Sequence, residues 1–401
     1  MPGPLHGIKV VEFTSVVLGP LACQMLGDMG ADVIKVEPPG GDTNRRLGPV
    51  RKNADMAALY LTCNRNKRSI VLDLKSADGL AAALKLAGKA DVMVHNFRPQ
   101  AMARLGLDYE AVSAVSPEIV YCGTYGFGRA GPYGHFGALD DSIQAVSGLA
   151  MLMAQIDGEP RYLPTIAADK TTGMAVVSAV TAALFYRERH GKGQEIEVPM
   201  FETMAAWVMT EHLWGQVFEP PLDSAGYVRL MSKQRKPYKT SDGYIAVLPY
   251  WDNHWTTFCG VVGRPELADD PRFTDMKTRL ANIDDTYTEI AKSLTGKTTS
   301  EWLKLLGETN VPHMVVNTLD ELVDDPHLKA TGFWEIHEHP TEGKLRMARP
   351  ATNFFGTPSD IRRLPPRMGE HSVEILKEAG FADDEIEKMI AEGVTSLPSK
   401  N

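Results

Sequence analysis

The segments Ile8–Phe13 (IKVVEF) and Asp32–Val36 (DVIKV) decide the fold class of this chain. Both are short runs rich in β-branched residues, which are typical of buried strands. A helix pattern that opens at Gly19-Pro20 separates them. The alternation continues with strand patterns over Ser69–Leu74, Asp91–His95, Glu118–Cys122 and Gln194–Val198, and with helix patterns over Leu80–Ala87 and 168–190. Strands that alternate with helices predict an α/β fold with a mostly parallel sheet.

The length of the chain predicts a second, smaller domain. The chain has 401 residues, which is more than one typical hydrophobic core contains. Its composition changes after Glu219-Pro220-Pro221, and a hairpin signal follows at Ser241-Asp242-Gly243. We therefore predict a large domain over 1–224 and a small α+β domain over 225–330. The remaining segment, 331–401, contains a Pro-rich stretch and two short helix patterns, Ser372–Ala379 and Asp383–Ala391.

Charge and composition argue against several classes of function. The formal net charge of −9 argues against nonspecific nucleic-acid binding. No apolar run is long enough to span a membrane, and the first residues lack the pattern of a secretory signal. We expect a cytoplasmic protein with reduced, buried thiols rather than disulfides or a zinc site, because its four cysteines lie far apart: Cys23, Cys63, Cys122 and Cys259.

One glycine-rich segment, Gly126–Gly131 (GFGRAG), formally matches the dinucleotide fingerprint. That fingerprint requires a helix to open at the motif, where its N-terminus binds the pyrophosphate. Pro132, Gly134 and Gly137 follow instead, and the preceding strand is not the first of its βαβ unit. We interpret the segment as a loop against which a ligand can lie, with a plain loop as the alternative. The alternative hypothesis that the chain is an oxidoreductase using a nicotinamide nucleotide depends on this motif alone.

Basic residues flank two of the predicted strands. Asn64–Arg68 (NRNKR) precedes one strand, and Asn96–Pro99 (NFRP) follows another. Ligands bind at the carboxyl ends of parallel strands in α/β sheets, and Arg and Lys are suited to phosphate groups. Solvated surface charge is the alternative for each residue. The candidate phosphate-binding residues are Lys67, Arg68, Arg98 and Arg104.

Carboxylates are the remaining candidates for chemistry. The histidines lack the spacing of metal ligands, and neither a G-x-S-x-G motif nor a recognisable cysteine nucleophile is present. By position, Asp169, Asp140 and Glu202 are the candidate catalytic carboxylates.

Asp169 stands in the segment Ala167–Gly173 (AADKTTG), where an extended approach meets a helix pattern that runs to Arg187. Pro164 excludes a helix before this point. An aspartate at a helix start is typical of an N-cap. A carboxylate near the free N–H groups and the positive end of the helix dipole can also be catalytic. The local pattern leaves both interpretations open.

Along essentially its whole length, the chain resembles the class III CoA-transferase family, which includes formyl-CoA and carnitine CoA-transferases. The resemblance lies in the order of many short motifs, each of them weak alone. These motifs are Gly7–Phe13 with Gly19-Pro20, Leu26–Glu37, Asn66–Ser69, Asn96–Pro99, Arg104–Leu107, Gly126–Tyr133, Asp140 with Gln144-Ala145, Ala168-Asp169 with Gly173, Gly191–Gln194 and Met368–His371.

The resemblance implies a fold and an assembly. It implies a Rossmann-like large domain built from both chain ends, so that 331–401 returns to the large domain, and a small domain inserted late. It also implies two subunits that thread through each other as interlocked rings in an obligate homodimer.

The resemblance also implies a reaction and the residues that carry it. Asp169 falls on the family's nucleophile, which accepts the acyl group and then CoA, and Asp140 falls on a supporting acidic residue. Coenzyme A and its acyl thioester are then substrates rather than a bound cofactor. The residues implied to contact CoA are Arg98 and Arg104 at the phosphates, Asn96 and Phe97 at the nucleotide, and Val16 and Met200 along the channel.

Three departures from the formyl-CoA branch predict a different carboxylic acid substrate, for which a dicarboxylate is one candidate. Val17 replaces a glutamine and Pro38 replaces an arginine, while Leu248–His254 (LPYWDNH) replaces a glycine-rich closing loop. An acyl-CoA racemase or epimerase of the same superfamily is the alternative function. That chemistry requires a His–Asp pair, and here Phe136 follows His135. A noncatalytic CoA-binding protein is a further alternative.

Overall fold

A computed structural model of the chain describes residues 3–399, apart from the side chains of Ile156 and Asp157. The chain divides into two compact units. The first comprises Met1–Ser147, Leu163–Trp207 and Lys329–Asn401, and the second comprises Gly148–Tyr162 and Val208–Leu328. The main segment of the second unit begins at Val208, whereas the change in composition predicts a boundary near 225. The second unit also includes the separate segment Gly148–Tyr162, which lies earlier in the chain.

The first unit contains a six-stranded parallel sheet, which confirms the predicted α/β class. Its strands are β1 (Lys9–Phe13), β2 (Asp32–Glu37), β3 (Lys67–Val71), β4 (Val92–His95), β5 (Val120–Gly123) and β6 (Gln194–Glu197). Their order in the sheet is β3-β2-β1-β4-β5-β6, and every neighbouring pair is parallel. The direction of winding reverses between β1 and β4, so the crevice at the carboxyl ends of these two strands is the place where such sheets bind ligands.

Helices fill the connections between the strands. The helices up to residue 212 are α1 (Leu18–Asp28), α2 (Ala58–Cys63), α3 (Ala77–Ala87), α4 (Pro99–Leu105), α5 (Tyr109–Val115), α6 (Asp140–Val146), α7 (Leu149–Asp157), α8 (Ala167–His190) and α9 (Met200–His212). Apolar residues of the strands, such as Val11, Ile34 and Met93, are buried in the core of the first unit. The long connection from β5 to β6 includes α8, which follows the predicted pattern over 168–190.

The second unit has its own small sheet and core. Strands β7 (Tyr238–Lys239), β8 (Tyr244–Val247) and β9 (His313–Val315) form an antiparallel sheet in that order. Tyr238 pairs with Ile245, which confirms the hairpin predicted from the turn residues. The helices are α10 (Val228–Met231), α11 (Asp252–Val261), α12 (Met276–Ala281), α13 (Ile283–Leu294), α14 (Thr299–Gly307), α15 (Leu319–Asp324) and α16 (Pro326–Ala330). Trp255 and Phe258 are buried at the centre of this unit.

The C-terminal segment contains one element that the sequence pattern does not reveal. Strands β10 (Trp334–His339) and β11 (Gly343–Ala348) form an antiparallel hairpin. Charged and half-exposed residues interrupt its hydrophobic alternation, so the strand signal is weak. Two helices follow with the predicted bounds, α17 (Ser372–Ala379) and α18 (Asp383–Ala391).

All four cysteines are buried and unbridged, as predicted from their spacing. Burial raises the pKa of the Cys122 thiol to about 12 and that of Cys259 to about 11. Within residues 3–399, no helix combines the length and the apolar character needed to cross a membrane. No group of three or more His, Cys, Asp or Glu side chains is arranged to hold a metal ion in the same residues.

Candidate active site

Asp169 lies in the first turn of α8 but does not cap it. The helix begins at Ala167, so Asp169 is its third residue, and Ile166 occupies the N-cap position without a side-chain hydrogen bond. The N-cap interpretation of Asp169 is therefore wrong. The two preceding alanines are strong helix formers, which explains why the helix starts earlier than the aspartate. The Asp169 carboxylate is left without a capping role.

The carboxylate of Asp140, in another helix, accepts a hydrogen bond from a backbone N–H in the first turn of α8. It is the first residue of α6, and its Oδ1 accepts a hydrogen bond from the backbone N–H of Asp169 at 3.0 Å. Gln144, one turn later in α6, donates from Nε2 to Asp140 Oδ2 at 2.5 Å. Gln144 Oε1 accepts from the backbone N–H of Leu163 at 2.9 Å. Asp140 is thus held by contacts on both oxygens and joins α6 to the first turn of α8.

The environment of Asp169 favours its neutral form. Burial raises the pKa of its carboxyl group to about 7, and the negative charge of Asp140 contributes in the same direction. The side chain is 9% exposed, and in the part of the chain that the structure describes its carboxylate oxygens have no hydrogen-bond or ion-pair partner. A carboxyl group with a pKa of about 7 is partly ionised at neutral pH, and one whose oxygens have no partner is suited to nucleophilic attack.

A close contact between α8 and α1 fixes the position of the first turn of α8. Gly173 lies one helical turn after Asp169, and a Cβ atom there would lie 3.1 Å from the backbone oxygen of Leu18. Leu18 is the first residue of α1, which begins just after the carboxyl end of β1. The first turn of α8 therefore packs beside the start of α1, at the edge of the sheet where the winding direction changes.

We expect Gly173→Val to destabilise the protein by about 1–3 kcal/mol, because the added methyl groups would force α8 away from Leu18. The urea midpoint of unfolding measures the effect. Ala81→Val is the control for adding a β-branched side chain to a helix, since Ala81 is exposed in the middle of α3. Equal losses in the two variants would contradict the close contact as the cause.

Two of the residues implied to contact CoA meet at the same edge of the sheet. Asn96, after β4, accepts from the backbone N–H of Ser15 at 3.1 Å and donates to the Ser15 carbonyl at 2.8 Å. Val16 follows with φ of 68°, which is strained for a β-branched residue. Its N–H donates to Asp42 Oδ1 at 3.2 Å, and its carbonyl accepts from Asn44. The sequence pattern does not indicate Asp42 or Asn44, which hold this loop from a distant segment.

The other implied contacts lie on the elements that follow. Arg98 is the N-cap residue of α4 and is exposed, and Arg104 is exposed in the last turn of that helix. Phe97 is 36% exposed. Met200 is buried at the first position of α9 and donates its N–H to the backbone oxygen of Tyr125 at 2.8 Å. Arg98 donates from Nη1 to the backbone oxygen of His135 at 3.4 Å. Both arginines are exposed and can meet an anionic ligand, whereas Met200 is buried.

Glu202, the third candidate carboxylate, has a structural contact. It accepts a hydrogen bond from the backbone N–H of Gly128 at 3.0 Å, so it holds the glycine-rich loop. Turns follow that loop, and the next helix begins only at Asp140. No helix N-terminus therefore stands where a dinucleotide's pyrophosphate would bind.

Lys67 and Arg68 do not join the other predicted phosphate ligands. Strand β3 begins at Lys67, two residues before the predicted start at Ser69, so both residues lie within the sheet. The Lys67 ammonium is fully buried and lies 3.0 Å from each carboxylate oxygen of Glu12. Arg68 pairs with Asp32 at 2.6 Å and with two glutamates of α17 at 2.9 Å. Because these charges are already paired, we correct their expected role from phosphate binding to stabilisation of the sheet.

Comparison with known proteins identifies the family to which this site belongs. Residues 5–372 match the family model described as CoA-transferase family III. The chain belongs to this family. It is therefore a class III CoA-transferase, which confirms the resemblance carried by the ordered motifs.

Other CoA-transferases are similar to this chain over most of its length. A succinate–glutarate CoA-transferase of Agrobacterium fabrum is 35% identical over 382 residues, which cover 94% of this chain and 95% of that protein. The succinyl-CoA:glutarate CoA-transferase of Homo sapiens is 32% identical over 396 residues, covering 98% and 90%. The crystal structure of a CAIB/BAIF family protein from Brucella suis has a TM-score of 0.80 at 31% identity, with 94% of this chain and 100% of that chain covered.

Proposed function

We propose that this CoA-transferase moves CoA from an acyl-CoA thioester to a free carboxylic acid through covalent intermediates on Asp169. The observation that carries the proposal is a buried carboxylate with its pKa raised to about 7 and no partner for its oxygens, beside a second carboxylate that is fixed on both sides. A nucleophile must be ionised and its oxygens must be free to attack a carbonyl carbon; a pKa of about 7 leaves part of the Asp169 population ionised at neutral pH, and no partner occupies its oxygens.

The first half of the reaction charges the enzyme. An Asp169 oxygen attacks the thioester carbonyl, a C–O bond forms, and the C–S bond breaks to release the CoA thiolate and leave a mixed anhydride. The thiolate then attacks the aspartyl carbonyl. A new C–S bond forms, the aspartyl C–O bond of the anhydride breaks, and the donor acid leaves as a carboxylate. The product is an aspartyl–CoA thioester, which retains the activation of the acyl bond.

The second half repeats these steps in reverse with the acceptor acid. Its carboxylate attacks the aspartyl–CoA thioester and releases the thiolate, which then attacks the acyl carbonyl of the new anhydride. The new acyl-CoA leaves, and the Asp169 carboxylate is regenerated without net transfer of protons or electrons. Burial of Asp169 helps to exclude the water that would hydrolyse either intermediate.

The proposal assigns CoA to the carboxyl edge of the parallel sheet. Arg98 and Arg104 would meet its phosphates, because both are exposed at the two ends of α4, the helix that follows β4. Asn96 and Phe97 would line the nucleotide. Val16 and Met200 would line the channel toward Asp169, and the contacts of Asn96 with Ser15 support this arrangement by joining the two loops.

The proposed acid substrates are short dicarboxylates. The relatives from Agrobacterium fabrum and Homo sapiens carry succinate, succinyl-CoA and glutarate in their names. The departures at Val17 and Leu248–His254 from the formyl-CoA branch agree with an acid larger than formate.

We also infer a Rossmann-like large domain and an interlocked homodimer. The strand order with β1 and β4 adjacent supports the first inference. Large apolar side chains left exposed in the single chain support the second, among them Met174, Phe185 and Trp207 at 61%, 61% and 51% exposure. Analytical ultracentrifugation that finds a monomer at micromolar concentration would refute the dimer.

A trapping experiment tests the covalent mechanism. We expect incubation with an acyl-CoA and then hydroxylamine to convert Asp169 to its hydroxamate, and borohydride to reduce it to the alcohol, because a thioester is open to both reagents. Peptide mass spectrometry locates the modification. Enzyme that remains unmodified at Asp169 during turnover would contradict the mechanism.

The racemase or epimerase alternative is not favoured, since the family and the named relatives are CoA-transferases. The ring of His135 lies against Phe136, with 4.3 Å between centroids, where the racemase reaction would require a neighbouring acid. Incorporation of deuterium at the α-carbon of a 2-methylacyl-CoA without an acceptor acid would be the sign of that reaction.

A further inference from the structure

Val16 adopts a backbone conformation that its side chain disfavours. Its φ of 68° lies in the left-handed region, where a β-branched residue is an outlier. Among the described residues, Asn66 and Trp214 are the other non-glycine residues with a positive φ. Such strain persists only where surrounding contacts hold it, and it is concentrated at functional sites. The contacts that hold Val16 are therefore candidates for a functional role.

Two residues of one turn bind both polar groups of the Val16 backbone. Asp42 Oδ1 accepts a hydrogen bond from the Val16 N–H at 3.2 Å, and Asn44 Nδ2 donates to the Val16 carbonyl. Asp42 Oδ1 also accepts from the backbone N–H of Asn44 at 3.0 Å, which joins the two residues. We name Asp42 and Asn44 the Val16 clamp. Because the clamp binds both the N–H and the carbonyl, a return of Val16 to a negative φ would break at least one of these bonds.

The Val16 clamp is anchored at the end of β2. Glu37, the last residue of β2, accepts from the backbone N–H of Asp42 at 3.0 Å. The same carboxylate pairs with the guanidinium of Arg45 at 2.6 Å. Both partners of this ion pair and both residues of the clamp are buried. Charge-assisted hydrogen bonds are strong in such surroundings, so the clamp is fixed relative to the sheet.

The side chain of Asn44 bonds to Val16 alone in the described part of the chain. It is fully buried, and its Oδ1 has no hydrogen-bond partner within residues 3–399. Burial of an amide oxygen without a partner costs free energy, which an apolar residue at this position would avoid. Asp42, by contrast, also pairs with the buried ammonium of Lys35 at 2.9 Å. Removal of Asn44 therefore tests the clamp without leaving a buried charge unpaired.

The loop between β1 and α1, which the clamp holds, has contacts with two elements of the proposed active site. Ser15 exchanges two hydrogen bonds with Asn96, which follows β4. Leu18 lies against Gly173 of α8, the helix whose first turn contains the proposed nucleophile. Val16 lies between these two contacts along the chain and is half-buried. A change in its φ would move Leu18 relative to Ser15 and so disturb both contacts.

We propose that Asp42 and Asn44 are positioning residues for CoA transfer, because they hold Val16 at a positive φ and so fix the loop between β1 and α1 in the form that receives CoA. The proposal rests on the proposed function, in which Val16 and Asn96 line the CoA site. Neither residue of the clamp touches the substrate. Both act through the backbone of Val16, so the effect of removing one depends on which residue occupies position 16.

The test removes Asn44 in two backgrounds. Full-length wild type, Asn44→Ala, Val16→Gly and the double variant are assayed with succinyl-CoA and glutarate. We expect Asn44→Ala to lower kcat/KM for succinyl-CoA about 30-fold in the chain with Val16. In the Val16→Gly chain the further loss should be less than about threefold, because glycine adopts a positive φ without a clamp. Equal losses in the two backgrounds would overturn the inference, since Asn44 would then not act through Val16.

Asn64→Ala is the matched control. Asn64 is also fully buried, and its Nδ2 donates to the backbone oxygen of Tyr60 at 3.0 Å. We expect its removal to lower the urea midpoint of unfolding and to leave kcat/KM within about twofold. A loss of kcat/KM equal to that of Asn44→Ala would contradict a special role of the clamp. If Asn44→Ala does not fold, Asn44→Leu, which has a similar volume and no donor, takes its place in the same comparison.

Hydrogen exchange keeps the inference separate from catalysis. The Val16 N–H donates to Asp42, so its exchange reports directly on the clamp. We expect Asn44→Ala to accelerate exchange of this amide about tenfold or more, as measured by mass spectrometry with fragment resolution. An unchanged rate would refute the clamp whether or not the chain transfers CoA. If the rate rises but the wild type transfers CoA to no acid, it is the proposed function that fails, and the clamp remains as a property of the fold.

Discussion

Asp169→Ala is expected to reduce the rate of CoA exchange by about 10⁴-fold or more, because it removes the atom that would carry both covalent intermediates. Mass spectrometry of exchanged thioesters measures the loss. A residual rate within tenfold of the wild type would contradict the role of Asp169 as the nucleophile. The structure removes one competing explanation, since Asp169 does not cap α8.

The free energy of unfolding of Asp169→Asn tests whether the charge of Asp169 opposes folding, independently of its role in catalysis. Asp169 has its pKa raised to about 7 in the folded protein, so ionisation opposes folding at every pH above the ordinary aspartate pKa. The penalty is absent below that ordinary value, grows as the pH rises toward 7, and reaches about 4 kcal/mol above it. Asp169→Asn carries no such charge. We expect it to be more stable than the wild type at pH 8 and nearly equal at pH 4, as measured by urea unfolding.

Asp140→Asn has the second largest expected effect, a decrease in kcat of about 100-fold, because it disturbs both the charge and the hydrogen bonds beside the nucleophile. The new amide could offer its oxygen to the N–H of Asp169 or to Gln144, but not to both, since its other group is a donor. The effect of this substitution on pH dependence is separate. The charge of Asp140 contributes to the raised pKa of Asp169, so its removal lowers that pKa.

The dependence of kcat on pH distinguishes these two contributions. In the wild type, activity should fall as the pH decreases through about 7, where Asp169 becomes protonated. In Asp140→Asn the fall should move to lower pH. The double variant Asp140→Asn/Gln144→Glu restores an acceptor opposite the new amide and should regain part of the activity. An unchanged acidic limb in Asp140→Asn would contradict the electrostatic coupling of the two aspartates.

The start of strand β3 cannot be predicted from the local sequence pattern, because its first two residues are charged. The sequence pattern predicts that β3 begins at Ser69, because Lys67 and Arg68 are typical of an exposed loop. In the folded chain their charges meet Glu12 and Asp32 on neighbouring strands, which allows both residues to lie in the sheet. The partners come from distant parts of the sequence, so no local window contains the information that makes such burial possible.

The candidate site shows the same limit. The ordered motifs indicate Asp169 and Asp140, but the pattern around Asp169 also fits an N-cap. The hydrogen bonds that Gln144 makes to Asp140 and Leu163 join segments separated along the chain. Gln144 belongs to one of the motifs, but no local signal gives it a role. The strain at Val16 is likewise hidden from the sequence, because the contacts that hold it come from Asp42 and Asn44.

By itself, the sequence determined the α/β class, the hairpin of the second unit, the buried free cysteines and the family, since periodicity, turn residues and ordered motifs are local properties. Tertiary structure alone decided that Asp169 stands free beside a fixed Asp140 with its pKa raised to about 7. It also decided that Lys67 and Arg68 are paired with carboxylates of distant segments and stabilise the sheet. The physical reason is that burial, pairing and pKa depend on which distant groups the fold brings together.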